Sequence, residues 1–160
     1  MAHVTLEYMI LIPMLIMQIF LLPYAVGLVM NTWTDSRREL ALEETASHLG
    51  GSMQQVYLAL NHETISSATL TSELHAPPSI EGDAYTGNVT WRQVVDLNPG
   101  SNKILDITLK LQGSSVSATT SVTLGPNVEW QNSTFSSISL NAAIRAQKFP
   151  NGTISLSFET

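Results

Sequence analysis

Cysteine is absent from the 160 residues. That excludes disulfides, Cys-x-x-Cys redox chemistry, thiolate metal sites and cysteine nucleophiles together. Charge is also scarce. Asp, Glu, Lys and Arg make up 12% of the chain, with seven basic residues against thirteen acidic ones and a net charge of −6. An excess of that sign argues against a nucleic-acid partner, because phosphate binding needs clustered Lys and Arg. The four histidines, His3, His48, His62 and His75, lack metal-ligand spacing, and His62-Glu63 is an adjacent pair that shares no helix face. There is no glycine-rich phosphate loop and no nucleophile-elbow pattern. The expectation is a chain that is not an enzyme and uses no cofactor. Its length suits one domain, or one small domain with an extension.

What the chain does have is apolar surface, unevenly spread. Tyr8 to Met30 reads YMILIPMLIMQIFLLPYAVGLVM, 23 residues without a charge. At 1.5 Å per helical residue the run is about 34 Å long, enough for a hydrocarbon core of about 30 Å. It is apolar on all sides, unlike a surface helix. A signal peptide is a poor fit, because no Lys or Arg precedes the run and no Ala-x-Ala-like site follows it. Pro13 and Pro23 lie inside and predict kinks or locally melted turns. Gly27 adds a flexible point near the end. Gln18 carries the main hydrogen-bonding demand within the run. It would bond across helices or to carbonyls freed by the prolines. Tyr8, Tyr24 and Trp33 flank or end the segment as an aromatic belt would.

From Asp35 to about Asn61 the pattern becomes amphipathic. Leu42, Ala46, Leu49, Met53, Val56 and Leu60 recur at steps of three and four and share one face. Arg37, Arg38, Glu39, Glu43 and Glu44 mostly occupy the other surfaces. No strong stop separates this stretch from the apolar one, so one long helix is predicted from about Val4 to Asn61. Gly50-Gly51 reads either as close packing against another element or as a hinge.

After residue 63 the composition shifts. Ser and Thr supply 27 of the last 97 residues against 7 of the first 63, and strand-like alternation takes over. Leu105 to Leu111, Val116 to Leu124, Ile138 to Ile144 and Ile154 to Phe158 each alternate apolar with polar residues. Ile65–Leu74 and Asn88–Leu97 are further candidate strands. Asn98-Pro99-Gly100, Gly113-Ser114, Gly125-Pro126-Asn127 and Asn151-Gly152 are turn signals, the last a hairpin signal. Ala76-Pro77-Pro78 to Gly82 reads as a loop. The predicted fold class is therefore α+β, with a long N-terminal hydrophobic and amphipathic helix followed by an antiparallel β-sheet or small β-sandwich domain. Residues 1–62 form the helix, 4–30 apolar and 35–61 amphipathic, and 63–160 form the β domain. The sheet is expected to cover the apolar face from Leu42 to Leu60.

This order of elements resembles a type IV pilin, and the Ser/Thr-rich β half resembles archaeal members of that family. His3-Val4-Thr5-Leu6-Glu7-Tyr8-Met9 aligns with the archaeal prepilin pattern Gln-x-Ser-x-Glu-Tyr-Leu. Glu7 and Tyr8 match it outright, and Thr5 and Met9 match it conservatively. Met1-Ala2 stands where the family has a basic residue and Gly. A processed chain whose basic leader has been removed is expected, with a different processing rule as the alternative. As written, the basic pair Arg37-Arg38 follows the span and would by itself favour a cytoplasmic β domain. A removed basic leader would reverse that balance.

The resemblance implies a major structural subunit of an extracellular type IV pilus-like filament on the cell surface, serving adhesion or surface contact. Such a subunit sits in the membrane before assembly. Its partners would be identical subunits in a helical homopolymer, a prepilin peptidase and the pilus assembly machinery. The polymerisation segment would include Glu7, Tyr8, Pro13, Gln18, Pro23 and Gly27, with Glu7 meeting the N-terminal amine of a neighbouring subunit. In the alternative, Glu7 stays hydrated at a membrane interface. Competing expectations are a single-span membrane-anchored binding module and a non-polymerising minor pseudopilin, with an archaellum subunit as a further variant. Asn88-Val89-Thr90, Asn132-Ser133-Thr134 and Asn151-Gly152-Thr153 are acceptor sequons for N-glycosylation, which would make the chain a glycoprotein.

Overall fold

A computed structural model describes residues 2–92 and 101–160, with side chains from residue 9 onward. Helix α1 runs Ala2–Leu60, 59 residues with Pro13 and Pro23 inside it. The helical assignment is unbroken across both prolines and across Gly50-Gly51. Eight strands follow among the described residues: β1 Ala68–Glu73, β2 Tyr85–Arg92, β3 Lys103–Leu111, β4 Ser117–Leu124, β5 Val128–Trp130, β6 Thr134–Ser136, β7 Ala143–Lys148 and β8 Ile154–Glu159. The fold is α+β. The chain divides into two compact units, residues 1–37 and 38–160. The second unit holds the amphipathic half of the helix together with every described strand.

The strands form two four-stranded sheets, ordered β1-β7-β8-β5 and β4-β3-β2-β6. All pairs are antiparallel except β5 with β8, where Val128 lies opposite Ile154 in parallel register. Leu42, Ala46, Leu49, Met53, Val56, Tyr57 and Leu60 are buried and share one core with residues of both sheets. The three–four spacing of those side chains forms the helix face that this core covers. Gly50 turns toward the β4-β3-β2-β6 sheet, where an added Cβ would lie 3.5 Å from Ile107 and 3.7 Å from Val122. Gly51 meets nothing. Gly50 thus fits the close-packing reading, and the helix passes through both glycines without a break.

A chain of edge-on aromatic contacts joins the two sheets. Tyr85 of β2 meets Phe135 of β6 at 6.2 Å, Phe135 meets Phe158 of β8 at 4.7 Å, and Phe158 meets Trp130 of β5 at 5.1 Å. The Phe158 N–H donates to Ser133 Oγ (2.8 Å) beside this chain. Such pairs add about 0.5–1.5 kcal/mol each beyond area burial. Gly87 makes room for it. It lies opposite Phe135 in the ladder, and any Cβ there would overlap the Phe135 ring.

Two strand expectations need correction, and two short strands have no predicted counterpart. Ile138 and Leu140 belong to no strand. They are 66% and 100% exposed, in turns closed by the Ser139 N–H donating to Ser136 O (3.0 Å). The reason is topological. β6 pairs with β2 and β7 pairs with β1 and β8, so residues 137–142 must cross from one sheet to the other and find no ladder partner. The strand expected over Asn88–Leu97 instead begins at Tyr85, because Gly87 interrupts the apolar alternation. Its expected end, and the Asn98-Pro99-Gly100 turn, lie outside the described residues. β5 and β6 have no counterpart among the predicted strands. At three residues each they are too short for periodicity to register. The 151–152 hairpin forms as its sequence predicts, with the Phe149 N–H donating to Thr153 O (2.9 Å) and Gly152 at φ 85°.

Gly87→Ala should destabilise the β unit by about 1–3 kcal/mol, the usual cost of forcing extra volume into a packed site. Urea unfolding of the full chain in detergent, followed by tryptophan fluorescence, measures this. An unchanged midpoint would show that the Phe135 ring moves aside freely.

Candidate assembly surface

The helical part of the first unit carries its apolar side chains uncovered. The large apolar residues from Met9 to Trp33 range from 50% exposed at Ile16 to 78% at Met9. They lie on every side of the helix, and no residue of its most apolar stretch is buried. By length and composition this helix can cross a membrane. Pro13, Gln18, Pro23 and Gly27 are all exposed on it. The Gln18 side chain has no hydrogen-bond partner among the described residues. Gly27 has open space where a Cβ would stand. The side chains of Glu7 and Tyr8 lie outside the described residues, as does that of His3. Tyr24 is 67% exposed and Trp33 is 56% exposed, with the Arg37 guanidinium 4.9 Å from its ring centroid. Thr32 and Thr34 donate their hydroxyls to Leu28 O (3.0 Å) and Met30 O (2.9 Å). Both polar groups are thereby satisfied within the helix itself.

Within the second unit, Arg38 is matched by two carboxylates, Glu81 at 3.2 Å and Asp83 at 2.9 Å. One of the two basic residues that follow the apolar run is therefore paired by the loop before β2. The C-terminal end of α1 is also tied down. Lys148 Nζ donates to His62 O (3.0 Å). A cation there complements the negative end of the helix, although the last helical turn has no basic residue of its own. Asn127 Nδ2 donates to Asn61 Oδ1 (3.0 Å) and to Gly152 O (2.9 Å), while Tyr57 Oη donates to Asn127 Oδ1 (2.9 Å). Sequence reasoning read Asn127 only as a turn residue and gave Lys148 no role. The available signal was a lone Lys among apolar alternation near the chain end.

The three sequons stand in different places. Asn88 is exposed at mid-strand in β2, between Thr108 of β3 and Thr134 of β6. Asn132 is exposed between β5 and β6. Its neighbour Ser133 is held by Gln131 O and by the Phe158 N–H. Asn151 is exposed at the tip of the β7–β8 hairpin. Two of the described histidines make local side-chain contacts: His62 Nδ1 lies 2.9 Å from Thr64 Oγ1, and His75 Nδ1 lies 3.1 Å from Glu73 O. Among the described residues no group of three or more His, Asp or Glu could hold a metal ion. A cleft of about 520 Å³ opens beside β1, lined among others by Thr71, Glu73, Ser139, Leu140 and Glu159.

Two titrating groups report on the β unit. Tyr85 is fully buried and donates to Pro77 O (2.7 Å), and burial pushes its phenol up to about 12. Asp106 lies on the face of β3 beside Arg92 (2.8 Å) and Ser121 Oγ (2.7 Å). Partial burial raises its carboxyl, but the Ser121 hydrogen bond and the Arg92 guanidinium outweigh that and hold it below the ordinary carboxylate value.

The folded state therefore keeps the Tyr85 proton where the unfolded chain loses it, and stability should fall as pH rises from 10.0 toward about 12. Tyr85→Phe should flatten that loss while costing about 1 kcal/mol at neutral pH for the missing hydrogen bond. Asp106 acts in the opposite direction. Its contribution is present above the unfolded carboxylate pKa and is lost as pH falls through the lower folded value. Asp106→Asn should remove that acid limb. Urea midpoints measured across pH for the three proteins check both slopes.

An apolar N-terminal helix followed by a β-sheet unit is an architecture compatible with a type IV pilin. Comparison with family models, curated proteins and solved structures gave no significant match for this chain.

Proposed function

We propose that this chain is the major structural subunit of an extracellular type IV pilus-like filament, polymerising through its N-terminal helix. The observation that carries the reading is the uncovered apolar surface from Met9 to Trp33, on a chain whose other unit already has a closed core. Fully burying a large apolar side chain contributes about 1.5–3 kcal/mol. A continuous row of them cannot remain in water. Lipid can cover the helix before assembly, and other copies of the same helix can cover it afterwards. Subunits stacked with one rise and one rotation make an open-ended, head-to-tail interface. Gln18 then bonds between neighbouring helices. By resemblance, Glu7 pairs with the N-terminal amine of an adjacent subunit, and the filament serves adhesion or surface contact.

Electron microscopy of material sheared from the cell surface, with mass spectrometry of its subunit, tests the reading. Filaments composed of this chain are expected. Ile16→Lys should abolish them while leaving the β unit folded, as read by its near-ultraviolet spectrum. Glu7→Ala should sharply reduce their yield. A chain that stays monomeric in detergent and never forms fibres would overturn the reading in favour of a single-span anchor.

A further inference from the structure

We infer that Asn151 is the glycan acceptor of the folded chain and that Asn88, despite its intact sequon, is not. All three sequons have the required residue types, so sequence alone ranks them equally. Geometry separates them. An acceptor carboxamide must meet two demands at once. Its nitrogen must be open to an incoming sugar, and the chain around it must fit into a transferase together with the hydroxyl two residues on.

Asn151 meets both demands. It is exposed at a hairpin tip, and the Thr153 N–H donates to Asn151 Oδ1 (3.0 Å), the local turn that an Asx residue makes with its own backbone two residues on. That donor stabilises the charge the oxygen gains as a proton leaves Nδ2, which is what lets an amide nitrogen attack. A second contact preserves the group. In an Asn-Gly pair the backbone nitrogen of Gly can attack the Asn side-chain carbonyl carbon and expel ammonia. Here the Gly152 N–H donates to Phe149 O (2.9 Å), which holds that nitrogen within the hairpin. Loss of the amide by that route therefore requires this hydrogen bond to open first.

Asn88 fails the second demand. β2 is an inner strand, paired on one side by β3 and on the other by β6. Val89, the middle residue of the sequon, is 2% exposed. Bending Asn88-Val89-Thr90 into an enzyme would mean pulling Val89 from the core, opening the β3 ladder along all three residues and breaking the last β6 pair at Asn88. Asn132 falls between the two: its middle residue Ser133 accepts from the Phe158 N–H within β8, whereas the bonds of Gly152 lead only to Phe149 at the foot of its own turn and to the Asn127 side chain.

The co-reactant is a glycan carried on a lipid phosphate. Asn151 Nδ2 gives a proton to the transferase's base and forms a bond to the anomeric carbon. The bond from that carbon to the phosphate oxygen breaks, and the lipid phosphate leaves. Nothing is oxidised or reduced.

The inference rests on the filament reading only in needing the β unit displayed where such transfer occurs. Subunits extracted from the cell surface are analysed by intact mass and by glycopeptide mapping. A glycan on the peptide containing Asn151 and a bare Asn88 are expected. Asn151→Asp keeps the acceptor oxygen of the turn and removes the nitrogen, so it should lose all glycan at that peptide while the subunit still folds. Thr153→Ala should do the same. A bare Asn151, or occupancy at Asn88 exceeding that at Asn151, overturns the inference. The same preparations are imaged. Filaments with a bare Asn151 leave the filament reading standing, whereas an occupied Asn151 on a chain that forms no filaments overturns only that reading.

Discussion

An apolar helix surface that its own chain does not cover is the constraint from which the rest of the molecule follows. Water will not hold residues 9–33, whose large apolar side chains are all exposed. Every environment open to this chain must therefore supply a cover, either hydrocarbon or protein. The chain is otherwise economical. Residues 38–60 place their apolar stripe in a core shared with both sheets, and that one core accounts for most of the buried side chains of the unit. The helix therefore has two regimes along one backbone, apolar all round and then apolar on one face. The change of pattern near Asp35 marks the change of surroundings.

The β unit is tailored to hold a helix end. A helix leaves its last carbonyls without partners. Here the sheet strands and their turns hold the residues just past the helix instead of those carbonyls. Lys148 reaches His62 O from β7, and Asn127 bridges Asn61 and Gly152 from the turn before β5. Gly125 is required at this place, because a side chain there would overlap the Tyr57 hydroxyl. The Gly-Pro-Asn turn therefore does two things at once. It carries the chain from β4 of one sheet into β5 of the other, and it presents one carboxamide to the helix, to Asn61 just past it and to the hairpin together.

Much of this was legible in the sequence. The long charge-free run, the three–four stripe from Leu42 to Leu60 and the alternation in β3, β4 and β8 follow from periodicity, because each buries one continuous face. What escaped depends on contacts between residues far apart in the chain. Gly87 looks like a break in a strand until Phe135 is seen to fill the place of its Cβ. Ile138 and Leu140 look like a strand until the crossing between sheets is known. Lys148 looks like an ordinary exposed charge until the helix end that it caps is in view. The candidate site divides in the same way. The apolar run was visible residue by residue, whereas the difference between Asn88 and Asn151 is a matter of ladder position and turn geometry, which three identical sequon patterns cannot express.

The hairpin at 149–153 ties these threads together. Its tip carries Asn151, its Gly152 carbonyl accepts from Asn127, and Asn127 in turn holds the end of the helix. The turn that leaves the Asn151 nitrogen open is thus braced by the same carboxamide that fixes the helix terminus. A glycan on that tip would stand on one of the best-anchored loops of the unit, not on a free one. Exposure and rigidity are usually opposed in a surface turn. Here the Asn127 bridge allows both.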